Sequence, residues 1–147
     1  MKKVFLSSLV IVLIVGGCAQ EKKSPIEGIW KLTYGQWYNW NPSDTLMYQF
    51  PGNMDIYHIK IFSKGNFTFV GQYSLDTLTH DNYGGGTYTL EGDRYEENVL
   101  YAGKSIVNRK VRMIQKVEND TLIQKWPADE SWKLPEKYSI EKYIRLR

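Results

Sequence analysis

The sequence predicts an all-β fold, an antiparallel up-and-down barrel of about eight to ten strands, with a two-sheet β-sandwich as the alternative arrangement of the same strands. Three observations lead there. Aromatic residues make up 14% of the chain, with 11 tyrosines among them, and Tyr, Trp, Val, Ile and Thr suit a pleated, half-buried surface. Beyond the opening apolar run, no helical period persists before a glycine or proline breaks it. Short alternating segments are instead separated by tight turn sequences, and closing them into a barrel leaves no strand edge unpaired.

The chain opens with Lys2 and Lys3, runs through apolar and small residues from Val4 to Val15, and reaches Gly16-Gly17-Cys18. A basic start, a short apolar core and small residues at a cut site are the parts of a secretory signal. The core is too short for a membrane-spanning helix, which needs roughly 20 apolar residues to cross about 30 Å of hydrocarbon. Val15-Gly16-Gly17-Cys18 resembles the bacterial lipobox, which implies cleavage before Cys18 and lipidation of that cysteine. Cys18 is the single cysteine, so it has no disulfide partner within the chain and lipidation would account for an otherwise reactive exported thiol. The alternative is an ordinary signal peptide that ends near a cysteine. Residues 18–25 read as a lipidated polar linker, and the domain spans residues 26–147.

Ile26 to Tyr34 reads as the first strand and Gln36 to Asp44 as an aromatic-rich loop. Thr45 to Phe50 is the second strand, with Pro51-Gly52-Asn53 as its turn. Asp55 to Phe62 alternates, turns at Ser63-Lys64-Gly65-Asn66, and returns with Phe67, Phe69 and Gly71 on one face and Thr68 and Val70 on the other. Asp81-Asn82-Tyr83-Gly84-Gly85-Gly86 is expected to be a flexible loop. Thr87 to Leu90 and Arg94 to Tyr101 pair about Glu91-Gly92-Asp93, and Ile106 to Val117 pairs with Thr121 to Trp126 about Glu118-Asn119-Asp120. Pro127 to Pro135 is irregular, and Tyr138 to Leu146 is the last strand.

Removing residues 1–17 leaves 130 of the 147 residues, enough for one domain with one core. It also takes away two lysines, leaving 17 basic against 16 acidic side chains. These are interspersed, so no concentrated basic face points to nucleic acid.

Gly28-Ile29-Trp30 resembles the Gly-x-Trp that opens the lipocalin and wider calycin barrels. The resemblance implies that Trp30 closes one end of the core and that a basic residue late in the last strand, Arg145 or Arg147, packs across it, a cation–π contact worth about 0.5 to 2 kcal/mol. Gly28, Trp30 and Arg145 are therefore the expected structural residues. The stretch from Gly85 to Glu97 is similar to a hairpin in lipocalin-like domains of unknown function borne by lipoproteins of gut-type bacteria. The chain departs from well-studied lipocalins in its short length, its lack of disulfides and the absence of an evident helix before the last strand.

Alternation puts Tyr95, Glu97, Val99 and Tyr101 on one face, and Arg109, Val111, Met113 and Gln115 on another that can meet it. If both face inward, Glu97 and Arg109 need each other or a polar ligand; the other reading is an outward-facing charge pair. Trp37, Tyr38 and Trp40 lie where a loop would cover the mouth, either stacking on a ligand or plugging the rim. Trp126 admits the same two readings. Catalysis has little to draw on. The histidines are His58, read as a half-buried strand residue, and His80, whose neighbours Asp76 and Asp81 match no dependable metal motif. No Gly-x-Ser-x-Gly is present.

These readings lead to a lipid-anchored protein of the bacterial cell envelope, with the outer membrane its expected site. Its barrel is expected to bind a small apolar or amphipathic ligand, with no enzymatic activity, cofactor or metal. The alternative is an envelope protein-interaction module whose barrel is filled by its own side chains.

Overall fold

The computed structural model describes residues 24–39, 45–75 and 77–147. The signal segment, Cys18, Trp40 and Asp76 lie outside them. Among the described residues nine strands follow one another: β1 Gly28–Asn39, β2 Thr45–Phe50, β3 Asp55–Ser63, β4 Asn66–Leu75, β5 Leu78–Glu91, β6 Arg94–Ala102, β7 Ser105–Glu118, β8 Thr121–Trp126 and β9 Ser139–Leu146. From β3 onward each strand pairs antiparallel with the next, β1 pairs with β3, and β9 closes on β1 from Ile29 opposite Leu146 to Gln36 opposite Ile140. Eight strands thus form an up-and-down barrel rather than a two-sheet sandwich, and β2 is an extra strand beside the far half of β1.

Turn chemistry sets much of this register. Lys64 and Gly65 have φ of 46° and 75°, and Asn119 and Asp120 have 49° and 58°. Successive positive φ values suit two-residue hairpin connections, whose twist matches that of the flanking strands.

Two segments expected to be loops are strand. Gln36 to Asn39 continues β1 because β2 pairs with it, Gly35 opposite Phe50 and Asn39 opposite Thr45. Asp81 to Gly86 lies within the 14-residue β5, with Asp81 opposite Gln72 and Gly86 opposite Phe67. The glycines there serve close approach rather than flexibility. A Cβ on Gly86 would collide with the carbonyl oxygen of Asn98, and one on Gly85 would sit 2.6 Å from that of Phe67. Strands packed this closely tolerate no side chain on that face.

The closed end carries the apolar core: Trp30, Leu32, Phe62, Phe67, Tyr88, Tyr95, Leu122 and Tyr143 are all buried. Trp30 is fully buried and its indole N–H donates to the Ile26 carbonyl at 2.6 Å. The Arg145 guanidinium lies 4.1 Å from the Trp30 ring centroid and donates to the carbonyls of Glu27 and Pro25 at 2.6 and 2.8 Å. Gly28 makes room for it, since its φ of 130° suits glycine and a Cβ there would lie 2.7 Å from Arg145 Nη1. Arg147, the other candidate, is exposed and binds Asp120 instead.

Candidate functional site

Above the apolar layer the barrel becomes polar. Alternation on β3 turns His58, Lys60 and Phe62 inward, on β6 Tyr95, Glu97 and Val99, on β8 Leu122 and Gln124, and on β9 Ser139, Glu141 and Tyr143. Phe62, Tyr95, Leu122 and Tyr143 sit toward the closed end of their strands and are apolar or aromatic. The inward positions one step higher are Lys60, Glu97, Gln124 and Glu141.

Lys60 is the hub of this layer. Its ammonium donates to Gln124 Oε1 at 2.8 Å and to Glu97 Oε1 at 3.4 Å, lies 3.7 Å from Glu141 Oε2, and is 5.5 Å from the Tyr143 ring centroid. Tyr95 donates its hydroxyl to Glu97 at 3.1 Å. Tyr143 and the Trp37 indole N–H donate to the two oxygens of Glu141 at 2.6 and 2.8 Å. Gln124 in turn donates to Gln115. Burial alone would raise the Glu141 pKa, but the charge of Lys60 and the hydrogen bonds of Tyr143 and Trp37 outweigh it and hold the carboxyl below its usual range. Burial, reinforced by the adjacent carboxylates, pushes both tyrosines well above their ordinary values, so they act as neutral donors.

His58 stacks on Phe69 with ring centroids 5.5 Å apart and meets Tyr143 edge-on. Its Nδ1 lies 3.2 Å from the Asn82 amide nitrogen, while Nε2 is buried with no hydrogen-bond partner among the described residues. Burial lowers its pKa to about 4, with Lys60 adding to the effect and Glu141 opposing it.

Over this floor lies a cavity of about 530 Å³, open to solvent and lined by side chains that include Trp37, Phe69, Val99, Arg109, Val111, Met113 and Trp126. It opens where β8 stops: Lys125 opposite Ile140 and Ile114 is the last full rung, and above it Ala128 N–H bonds the Arg112 carbonyl. A second chamber of about 260 Å³ is lined by Leu32, Met47, Met54, Ile56 and Tyr73. The two chambers share Trp37, His58, Asn82 and Glu141, which form the partition between them. The Trp37 ring reaches this place by folding over Gly35, where a Cβ would collide with the indole.

Of the residues singled out in the sequence, Trp37, Glu97, Arg109 and Trp126 line the cavity, and Tyr95 lies beneath it holding Glu97. Tyr38 does not join them; it is a β1 residue whose backbone N–H donates to the Ser139 hydroxyl at 3.0 Å. Glu97 is 4% exposed and faces inward, so it is no outward charge pair. Its partner is Lys60 rather than Arg109, because Arg109 stands opposite Val99, one inward position nearer the mouth. Tyr101 leaves that face: a register shift after Val99 turns it outward, to 44% exposure. His80 is exposed and stacks on Tyr73 at 5.1 Å. Lys60, Glu141 and Asn82 escaped the sequence reading, although the period of two counted from Phe62 and Tyr143 marks the first two.

No protein-family model matches this chain, and no curated protein matches it in sequence.

Proposed function

We propose that the chain is a lipoprotein of the bacterial cell envelope, tethered through Cys18, whose barrel holds one small amphipathic molecule. The observation that carries this reading is the cavity of about 530 Å³ with aromatic and aliphatic walls over a charged, hydrogen-bonded floor. Small-molecule sites commonly have about 300 to 1,000 Å³ and a few placed polar groups among apolar ones. The polar end of the ligand would meet Lys60, Glu97 and Glu141, and its apolar part would lie against Phe69, Val99, Met113 and Trp126. The contact of Trp30 with Arg145 supports a lipocalin-like barrel.

The first described residues and the mouth lie at opposite ends of the barrel. Ile26 and Gly28 enter at the closed end, whereas the cavity opens beside Arg109 and Pro127 near the other. The ligand would therefore enter from the side facing away from the membrane anchor. The role we propose is binding. A second reading, docking of another envelope protein, draws on Leu46, Leu78, Leu100 and Ile106, exposed apolar side chains near the open end; the unfilled cavity favours the first.

Native mass spectrometry of the full-length chain from its own type of host tests the reading. A reproducible bound small molecule, released on mild denaturation, is the expected result. A clean apo mass, unchanged by incubation with lipid and glycan extracts, would overturn it. Separately, metabolic labelling with a palmitate analogue should mark the wild-type chain and not Cys18→Ser, which should also leave the membrane fraction.

A further inference from the structure

One outer face of the barrel is apolar where contact with water alone would favour polar residues. Ile29 of β1 stands opposite Ile61 of β3 on one side and Leu146 of β9 on the other, all at outward positions. One outward step higher, Lys31 lies between Ile59 and Ile144, and Ile59 adjoins Val70 of β4. Ile29, Ile144 and Val70 are 43%, 44% and 52% exposed. These six aliphatic side chains form one patch toward the closed end, and a contiguous exposed apolar patch marks an interaction surface.

Its polarity changes with height. Above the aliphatic rungs come Tyr57 and Tyr34, each with a lysine over its ring: Lys31 Nζ is 5.3 Å from the Tyr57 centroid and Lys142 Nζ is 5.0 Å from that of Tyr34. The next outward residue on β3 is the exposed Asp55. Aliphatic chains followed by tyrosines and lysines is the order in which side chains meet a bilayer, hydrocarbon first and headgroups next. A protein interface is instead polar around its whole rim.

Reach points to the same partner. The first described residue, Ser24, sits at the closed end, where its carbonyl accepts from the Glu27 N–H at 3.0 Å. Cys18 precedes it by six positions, which span at most about 20 Å. The 12 residues of β1 run about 40 Å, so a lipid on Cys18 brings the closed end, and not the mouth, to the membrane. Charge selects the side. This face offers Lys31 and Lys142, whereas the β5–β6 turn across the barrel carries the exposed Glu91 and Asp93. Glu118 and Asp120, beside the β7–β8 turn, are paired with Lys116 and Arg147.

We infer that the β4–β3–β1–β9 face at the closed end lies on the phospholipid surface that holds Cys18, with its aliphatic side chains against the acyl region and Lys31 and Lys142 at anionic headgroups. The inference rests on the tether proposed above and adds a second, non-covalent contact that fixes the orientation of the barrel.

Lipidation occupies the single cysteine, so a cysteine placed elsewhere is the free thiol for a label. Ile144→Cys and, as the open-end control, Ile106→Cys, at an 82% exposed position, are made in the chain as processed by its own type of host. Each is labelled with an environment-sensitive fluorophore and reconstituted into vesicles of mixed phosphatidylcholine and phosphatidylglycerol. Brominated acyl chains should quench the label at position 144 several-fold more than that at 106, and aqueous iodide should do the reverse. Leu146→Cys is the second site should Ile144→Cys fail to unfold cooperatively in urea. Equal quenching by iodide at both positions, in a chain that floats with the vesicles, overturns the inference and leaves the tether standing. Shielding of position 144 from iodide without quenching by brominated lipid also overturns it and puts a protein, a second copy or a segment of the chain on this face. A chain that does not float, with Cys18 still reactive to thiol reagents, overturns the tether and this inference together.

Discussion

Lys60 holds two buried carboxylates, a glutamine and a tyrosine face in one layer, so its removal leaves two anions facing each other without a counter-charge. Lys60→Met should cost about 3 to 5 kcal/mol in denaturant unfolding, the range for breaking a buried ion pair from one side. His58 acts in the opposite sense. Its folded pKa of about 4 lies below the unfolded 6.5, so the unfolded chain binds the extra proton first, and stability falls as pH drops from 6.5 to about 4, by about 3 kcal/mol. Glu141, held below its usual range, adds a further loss on acidification below the ordinary carboxylate pKa. His58→Phe should lose the first share of that slope and keep the second, as chemical unfolding followed from pH 7 down to about pH 3 would register. In the sequence Glu97 was legible as a residue in need of a partner, but the partner was not. Glu97 and Lys60 lie 37 positions apart, and alternation within one strand says nothing of which strand faces it across a lumen.

Strand β3 shows why the polar floor was hard to read. Its apolar Ile59 and Ile61 point outward while His58 and Lys60 point in, and β9 does the same with Ile140 and Ile144 outside and Glu141 inside. The usual rule that apolar residues mark the core face gives the wrong face for both. Parity counted from a bulky anchor, Phe62 or Tyr143, gives the right one. Turns were more legible, because Lys64-Gly65 and Asn119-Asp120 carry their geometry in residue type. The glycine run of β5 was misread as a loop: glycine marks both flexible loops and close strand packing, and only the neighbouring strands distinguish them. Gly86→Val should therefore destabilise the chain by about 1 to 3 kcal/mol, the cost of overpacking, visible as a lower urea midpoint. At the closed end, Trp30→Ala should cost about 3 to 5 kcal/mol. Arg145→Ala should lose a smaller amount, since it removes the face contact and two carbonyl bonds but no core volume.

Closure of eight strands gives the molecule two unlike ends. The lower end is sealed by Trp30, Phe62, Tyr95, Leu122 and Tyr143; the upper one is left open because β8 is only six residues long while β7 has 14. Strand number and barrel class could be read from turn spacing and composition, whereas the cavity depends on how far each strand outruns its neighbour, which local sequence does not encode. The central claim is that this cavity, and not the outer surface, holds a small molecule. Val111 lines it on β7 and is partly buried, so Val111→Trp would fill the space from within and leave the closed end untouched. The most direct measurement compares the co-purified mass on wild-type and Val111→Trp chains by native mass spectrometry, with urea unfolding to confirm that both are folded. Loss of the bound mass from a folded variant is the predicted result. The same bound mass at the same occupancy would contradict the account and place the ligand outside the barrel.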